Sequence, residues 1–522
     1  VLVGESLLPT STSLLARGKE PMAKPIGKFV MVALALGQVL VSLDASALNV
    51  ALPSIQREFD ASSSQLQLIV VSYMIATAAC MLPMGAISDR VGRKPMYITG
   101  LVAFIFGSAL CGFSWNVWIL IVARVIQGFG AAAIFGLALA ILTDNAERSQ
   151  VPKIVAMWTT VSIVASSSGP FIGGILVTAF GWRSVFFINI PLTILVVIVA
   201  MAALPNDKKV EEQRMKLTGG VLIGLSLACF TWAIISMQQS GPTSTQALVP
   251  LLVSFVLLAV LVFEQRHTDL PLVDWGSLRR SPIPIAVALS LLLALALSGA
   301  MYQMSIFTQN VLGFSPALSG IAMLSASVAM AVLAPLAPKL LQALGAALPV
   351  MLGMLVTAAG MLFLGGLTQS STLLWVLTGM LVLGVGLAIA NPIISAIAMQ
   401  SAQGTGSGAV SGSLGLVGQV GGILGITVMG GLATSVAVSH WSSDGGDPSL
   451  NTLVGVGDIA AIGSKAGQAA RDLAATSYSA GVSVTFVIGA VLLALCAVLA
   501  FAFLPKKPIE SDVDVPVTVP MH

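Results

Sequence analysis

Fourteen stretches of roughly 20 apolar residues, each nearly free of charge, divide this 522-residue chain. Lipid offers no partner to an open backbone amide, so a stretch that crosses the hydrocarbon as a single segment must be a helix. The runs fall near 28–50, 66–87, 96–113, 117–142, 153–179, 184–204, 217–237, 247–264, 283–308, 317–340, 346–366, 372–399, 409–435 and 477–504. The expected fold is an all-α integral membrane protein with 14 transmembrane helices. Hydrophobic residues make up 57% of the chain and charged residues 9%. That leaves too little polar surface to cover a water-soluble globule, and the lipid bilayer is the first partner implied.

Cytoplasmic loops keep lysine and arginine, which sets the orientation. With both termini inside, 19 of the 24 Lys and Arg lie inside; Arg57, Arg183, Lys465 and Arg471 lie outside, and Arg124 alone is intramembrane. An odd number of spans would break this pattern. The net charge of +3 therefore reports topology, and no basic run with interleaved aromatics suggests nucleic acid.

The spacing of charged loops divides the chain further. Residues 1–27 read as a cytoplasmic tail, with Met22 a candidate start, and 28–204 as a six-helix half. Residues 205–282 hold an inserted helix pair with its flanking cytoplasmic loops, 283–504 form a second six-helix half, and 505–522 a cytoplasmic tail. An external loop at 436–476 interrupts the second half, with a surface hairpin or short interfacial helix as its plainest reading. The halves are not visibly alike in sequence, so the repeat rests on span count.

Asp44 is the only carboxylate well inside an apolar run. A charge-capable group there costs several kcal/mol, which points to a function, and carrying a proton is the obvious one. Arg124 is the second buried charge. At about 1.5 Å rise per residue, Asp44 sits roughly 9 Å and Arg124 about 10 Å from the outer ends of their spans, so the two are level and expected to communicate. The competing readings are a purely structural carboxyl and a guanidinium that only anchors backbone carbonyls.

GAISDRVGRK, residues 85–94, joins the second and third spans on the cytoplasmic side. Gly85 permits close helix approach and Gly92 a tight turn. Asp89 can bond to the N-terminus of a neighbouring helix, while Arg90 and Arg93 can pair with Asp144 or Glu147. Such a cluster would latch one conformation, the alternative being a plain positive-inside anchor. In the fifth span, Pro170 removes a helical hydrogen bond and bends the helix, with Gly169, Gly173 and Gly174 leaving room for close packing.

Four segments carry a specific resemblance. GAISDRVGRK resembles the signature loop of the major facilitator superfamily, and RVIQGFGAA, from Arg124, its fourth-span arginine motif. SSSGPFIGG, ending at Gly174, resembles the fifth-span antiporter motif, and LDASALNVALP the first-span motif of the fourteen-span drug:proton antiporter group. WRSVFFINIP, residues 182–191, is similar to that group's sixth-span entry. Ala165 and Ser184 depart from the family's usual residues, and the second-half counterpart of the signature loop, PKLLQALGAA, keeps Gly345 but has only Lys339 for charge. The resemblance implies that the first and fourth helices are neighbours and that the bend at Pro170 seals the outer side in exporters.

For the substrate cavity the candidates are Gln38, Asn49, Trp158, Tyr302, Gln303 and Asn391, polar or aromatic residues within spans. An apolar cavity with few polar anchors suits a lipophilic substrate. The expected function is proton-coupled efflux of lipophilic cationic or neutral compounds, as in multidrug or antibiotic export, from the plasma (cell inner) membrane. The alternative is a proton-coupled transporter of one defined metabolite or lipid. An enzyme or primary pump is disfavoured because no nucleotide-binding loop or paired-aspartate metal motif occurs, and His267, His440 and His522 all lie in loops or the tail. Cys80, Cys111, Cys229 and Cys496 have no metal-ligand spacing. Neither a cofactor nor a metal is expected, and no obligate protein partner is evident.

Overall fold

A computed structural model describes residues 28–144, 151–204, 218–241, 243–267, 283–401 and 407–506. The first half contains α1 (Lys28–Phe59), α2 (Ser63–Val91), α3 (Arg93–Gly112), α4 (Val117–Asp144), α5 (Val151–Phe180) and α6 (Ser184–Ala203). The inserted pair is α7 (Thr218–Ser240) and α8 (Thr245–Arg266). The second half contains α9 (Ile283–Val311), α10 (Pro316–Leu344), α11 (Ala347–Gly365) and α12 (Leu373–Ser401). It continues with α13, which runs from Ser407–Leu424 through a π-helical turn into Gly430–Ser443, and ends with α14 (Ile459–Phe503).

Among the described residues, thirteen helices are long and apolar enough to cross a membrane. The fifth expected span falls on α5, a 30-residue helix whose described apolar stretch, Val164–Phe180, is shorter than the other thirteen.

The two halves repeat in packing although not visibly in sequence. In the first, α1 packs on α4, α5 and α6, α2 on α4, and α3 on α4 and α6. In the second, α9 packs on α12, α13 and α14, α10 on α12, and α11 on α12 and α14. The cross-half contacts obey the same rule: α5 lies on α10, and α2 on α13. Glycines make these approaches possible. A Cβ on Gly173 would come within 2.8 Å of the Ala47 carbonyl on α1, and Gly421 and Gly425 of α13 lie against the Leu291 and Leu295 carbonyls of α9.

The inserted pair attaches at the side. Gly220 and Gly224 of α7 fit against Ala79 of α2, while α8 shows Leu252, Phe255 and Phe263 outward, as a lipid-facing helix should.

Two connecting segments are mostly helix. Across 85–94, α2 continues to Val91 and α3 starts at Arg93, leaving Gly92 alone between them at φ +103°. Only a residue without a Cβ takes that conformation cheaply. Gly345, at φ +72°, holds the equivalent place after α10. The segment 436–476 is largely helical. α13 extends to Ser443, a five-residue helix covers Asn451–Gly455, and α14 begins at Ile459, where Asp458 accepts a hydrogen bond from the Ala461 amide at 3.1 Å. Leu450, Val454, Val456, Ile459 and Ile462 are buried, so apolar contacts hold this segment onto the second half.

Candidate functional site

Asp44 lies at the centre of a buried polar cluster drawn from four helices. Arg124 Nη1 of α4 donates to Asp44 Oδ2 at 2.8 Å, and also to Gln127 Oε1 at 2.6 Å. Gln127 Nε2 donates to Asp44 Oδ1 at 2.9 Å and to Ser108 Oγ of α3 at 2.8 Å. Asn189 Nδ2, at the start of α6, donates to Asp44 Oδ1 at 2.6 Å. Asp44, Gln127, Asn189 and Ser108 have no exposed surface, and Arg124 has 1%. A lone carboxylate in this position would be prohibitively costly, and the three charge-assisted or amide hydrogen bonds that Asp44 accepts offset that cost.

Neither Gln127 nor Asn189 was singled out from the sequence. Gln127 carried a readable signal, because it follows Arg124 by three residues and so shares its helical face. Asn189 sits in the α6 entry segment and gave no comparable sign.

Arg124 faces two ways. Its guanidinium lies 4.0 Å from the centroid of the Tyr73 ring, and its Nε donates to the Ile69 carbonyl at 3.4 Å, both on α2. Arg124 and Tyr73 also line a cavity of about 380 Å³ between the halves. Its other walls include Ser42, Ser46 and Asn49 of α1, Pro170 of α5, Met301 of α9, Met330 of α10 and Gln419 of α13. Asp44 is not among the lining residues. The guanidinium thus stands between the cavity and the carboxylate.

The fifth helix joins this region to the opposite half. Gly169 and Gly173 rest on Ser46 and Ala47, two and three residues beyond Asp44 on α1. On the other face of α5, a Cβ on Gly174 would come within 2.6 Å of the Pro316 carbonyl, and Gly320 of α10 fits against the Pro170 carbonyl. α5 is thus packed closely against α1 on one face and against α10 on the other.

Polar contacts between the halves gather at the helix ends expected to be outside. Gln309 Nε2 donates to the Val50 carbonyl at 2.9 Å, and the Ser305 hydroxyl donates to the Asn49 carbonyl. Asn310 Nδ2 donates to Gln56 Oε1 at 2.7 Å and to the Val456 carbonyl at 3.0 Å, while Gln56 Nε2 donates to Asp458 Oδ2 at 3.3 Å. Ser63 and Thr434 share a hydrogen bond of 2.9 Å between α2 and α13.

Residues 34–426 match the Major Facilitator Superfamily. The chain belongs to that superfamily. It is similar to the multidrug resistance protein Stp of Mycobacterium tuberculosis, at 30% identity over 425 residues, covering 81% of this chain and 78% of that protein. The tetracenomycin C resistance and export protein of Streptomyces glaucescens is 29% identical over 417 residues, covering 78% and 76%. The riboflavin transporter RibZ of Clostridioides difficile is 30% identical over 313 residues, covering 60% and 67%. In fold, the chain is similar to a bacterial homologue of the human lysosomal transporter Spinster in an inward-facing, unoccupied conformation. The TM-score is 0.66 at 16% identity, over 93% of this chain and 98% of that one. The protein is accordingly a multi-pass membrane transporter of the major facilitator superfamily.

Within this superfamily member, the residues expected around the substrate separate. Asn49 lines the cavity. Gln38 is buried and absent from the lining, yet it donates to two lining hydroxyls, Ser42 Oγ at 3.1 Å and Ser162 Oγ at 2.8 Å, while Gln303 is buried with its amide on the Met429 carbonyl at 3.2 Å. Tyr302 is buried against Gly430, away from the cavity wall. Asn391 is exposed and does not line the cavity. The side chains of Trp158, Asp89 and Asp144 lie outside the described residues, as does Glu147, so the pairing expected of Arg90 and Arg93 with these acids does too. Among the described residues, nothing lies within 4 Å of where a Cβ on Gly85 would stand.

Proposed function

We propose that this transporter is a proton-coupled secondary exporter of lipophilic compounds, acting by alternating access in the plasma membrane with both termini in the cytoplasm. The observation that carries the reading is the position of Arg124, bonded to a fully buried Asp44 on one side and lining the cavity on the other. Protonation of Asp44 removes the charge that holds Nη1, so the guanidinium seeks other acceptors and the wall of the cavity changes. Substrate occupancy and proton occupancy are then coupled through one side chain.

The conformational route follows the packing. A change at Asp44 moves α1 at Ser46 and Ala47, which bear on Gly169 and Gly173, and α5 passes the displacement to α10 at Gly174 and Gly320. The driving force is adequate: one charge crossing 100 mV contributes about 2.3 kcal/mol, and one pH unit about 1.4 kcal/mol. With a single intramembrane acid, the simplest stoichiometry is one proton per cycle. The similarity to named resistance and export proteins supports outward transport.

The test is a reconstituted vesicle carrying an imposed pH gradient and an internal pH indicator. Adding a transported compound should release protons down the gradient; compound movement with no proton movement would overturn the reading. The similarity to a riboflavin transporter favours a second possibility, one defined metabolite as cargo. Transport of only one member of a chemically mixed panel would select it.

A further inference from the structure

The cavity wall also bears on the charge of the cargo, an inference that rests on reading this cavity as the transport site. Among the described residues no carboxylate lines it, and the one charged residue there is Arg124, whose charge Asp44 offsets from behind. The sequence offers no other acid at this depth, since Asp44 is the only carboxylate well inside an apolar run. A permanent cation entering the cavity would meet the positive end of the pair and no counter-charge, and an unpaired ion is far costlier to bury than a polar oxygen.

The wall offers hydrogen-bond donors instead. The hydrogen bonds of Arg124 run from Nε and Nη1, which leaves Nη2 without an acceptor among the described residues. The Tyr73 hydroxyl, in a side chain 2% exposed, has none either. Both residues line the cavity, together with the Asn49 amide and the Gln419 amide. Met74, Met301 and Met330 supply adaptable apolar surface around them. A buried donor left unpaired is costly, so the arrangement favours a ligand that brings acceptor oxygens. A volume of about 380 Å³ lies at the lower end of small-molecule sites and suits a flat molecule of about three fused rings.

We propose that the cavity takes uncharged aromatic compounds bearing carbonyl or hydroxyl oxygens, received by Arg124 Nη2 and the Tyr73 hydroxyl, and that it discriminates against permanent cations. Binding to the purified full chain in lipid nanodiscs tests this with three compounds of one shape. These are 2-(2,2-dimethylpropyl)anthraquinone, its trimethylammoniomethyl isostere, and 2-(2,2-dimethylpropyl)anthracene, which lacks the ring carbonyls. The neutral quinone should bind at least tenfold more tightly than either of the others. Tyr73→Phe should weaken the quinone severalfold while leaving the anthracene unchanged. Equal or tighter binding of the cation by the unaltered protein would overturn the proposal, whatever the variant does. Because binding is read without a gradient, proton-coupled transport of the cation would sink this inference and leave the exporter reading standing.

Discussion

Asn189 Nδ2 lies 2.6 Å from Asp44 Oδ1, so the first residue of the long segment of α6 holds the one acid buried in the first span. Its amide oxygen has no hydrogen-bond partner among the described residues. Its amide nitrogen reaches Ser108 Oγ as well, at 3.5 Å, but its short bond is to the carboxylate, which it can serve only while α6 and α1 keep their present relation.

Asn189→Ala removes this donor and leaves Gln127 as the amide on Oδ1. A hydrogen bond to a charged group contributes about 1.5–3 kcal/mol. The expected outcome is a lower thermal midpoint and a transport rate reduced by roughly tenfold, equivalent to about 1.4 kcal/mol in the barrier. Parallel melting and vesicle-uptake measurements check both; an unchanged rate would make Asn189 a packing residue.

Arg124→Leu strands a buried carboxylate, and breaking one side of such a pair costs about 3–5 kcal/mol. Arg124→Gln combined with Asp44→Asn removes both charges. The double variant should recover at least half of the stability lost by Arg124→Leu, read as the unfolding midpoint in detergent, while remaining inactive. A double variant less stable than Arg124→Leu would show that the pair does not account for the loss.

Asn310→Ala deletes the two bonds that tie the outer end of α9 to Gln56 and to the Val456 carbonyl. Together they contribute on the order of 1–3 kcal/mol, enough to shift a conformational equilibrium severalfold. Spin labels at Arg57 and Lys465, in a background with the four native cysteines replaced, should then report a larger population at long separation. An unaltered distance distribution would remove these amides from the outer seal.

Gly320→Val places branched carbon against the Pro170 carbonyl. Overpacking of this kind typically costs about 1–3 kcal/mol. The variant should insert in the membrane, lose transport, and leak protons in the absence of substrate, as measured with an internal pH indicator. Normal transport would mean that the α5–α10 contact can yield without consequence.

Hydropathy made the spans legible, because lipid imposes the same length and composition on each crossing. It pointed to the twofold repeat only through the number of spans. The halves keep the same neighbours through different glycines, Gly173 on Ala47 in one and Gly421 on the Leu291 carbonyl in the other, and packing of that kind leaves little common sequence. The levels of Asp44 and Arg124 followed from helical rise, and the two are 2.8 Å apart. Substrate candidates were the least legible. Gln38, Tyr302 and Gln303 are polar residues inside spans, as Asn49 is, yet only the azimuth of each helix decides which one meets the cavity, and an apolar span has too little pattern to fix its azimuth. The segment 436–476 looked like a loop because its glycines and charges interrupt the apolar run, whereas burial of Leu450, Val454 and Ile459 makes it part of the second half.

The most direct measurement is substrate-evoked proton movement in vesicles bearing Asp44→Asn. The amide keeps the size of the side chain and can still bond to Gln127 and Asn189, so the protein should elute and melt as a folded species. Coupling through Asp44 predicts that an imposed pH gradient no longer drives the compound and that the compound no longer releases protons. Transport and proton release at the unaltered rate would contradict it.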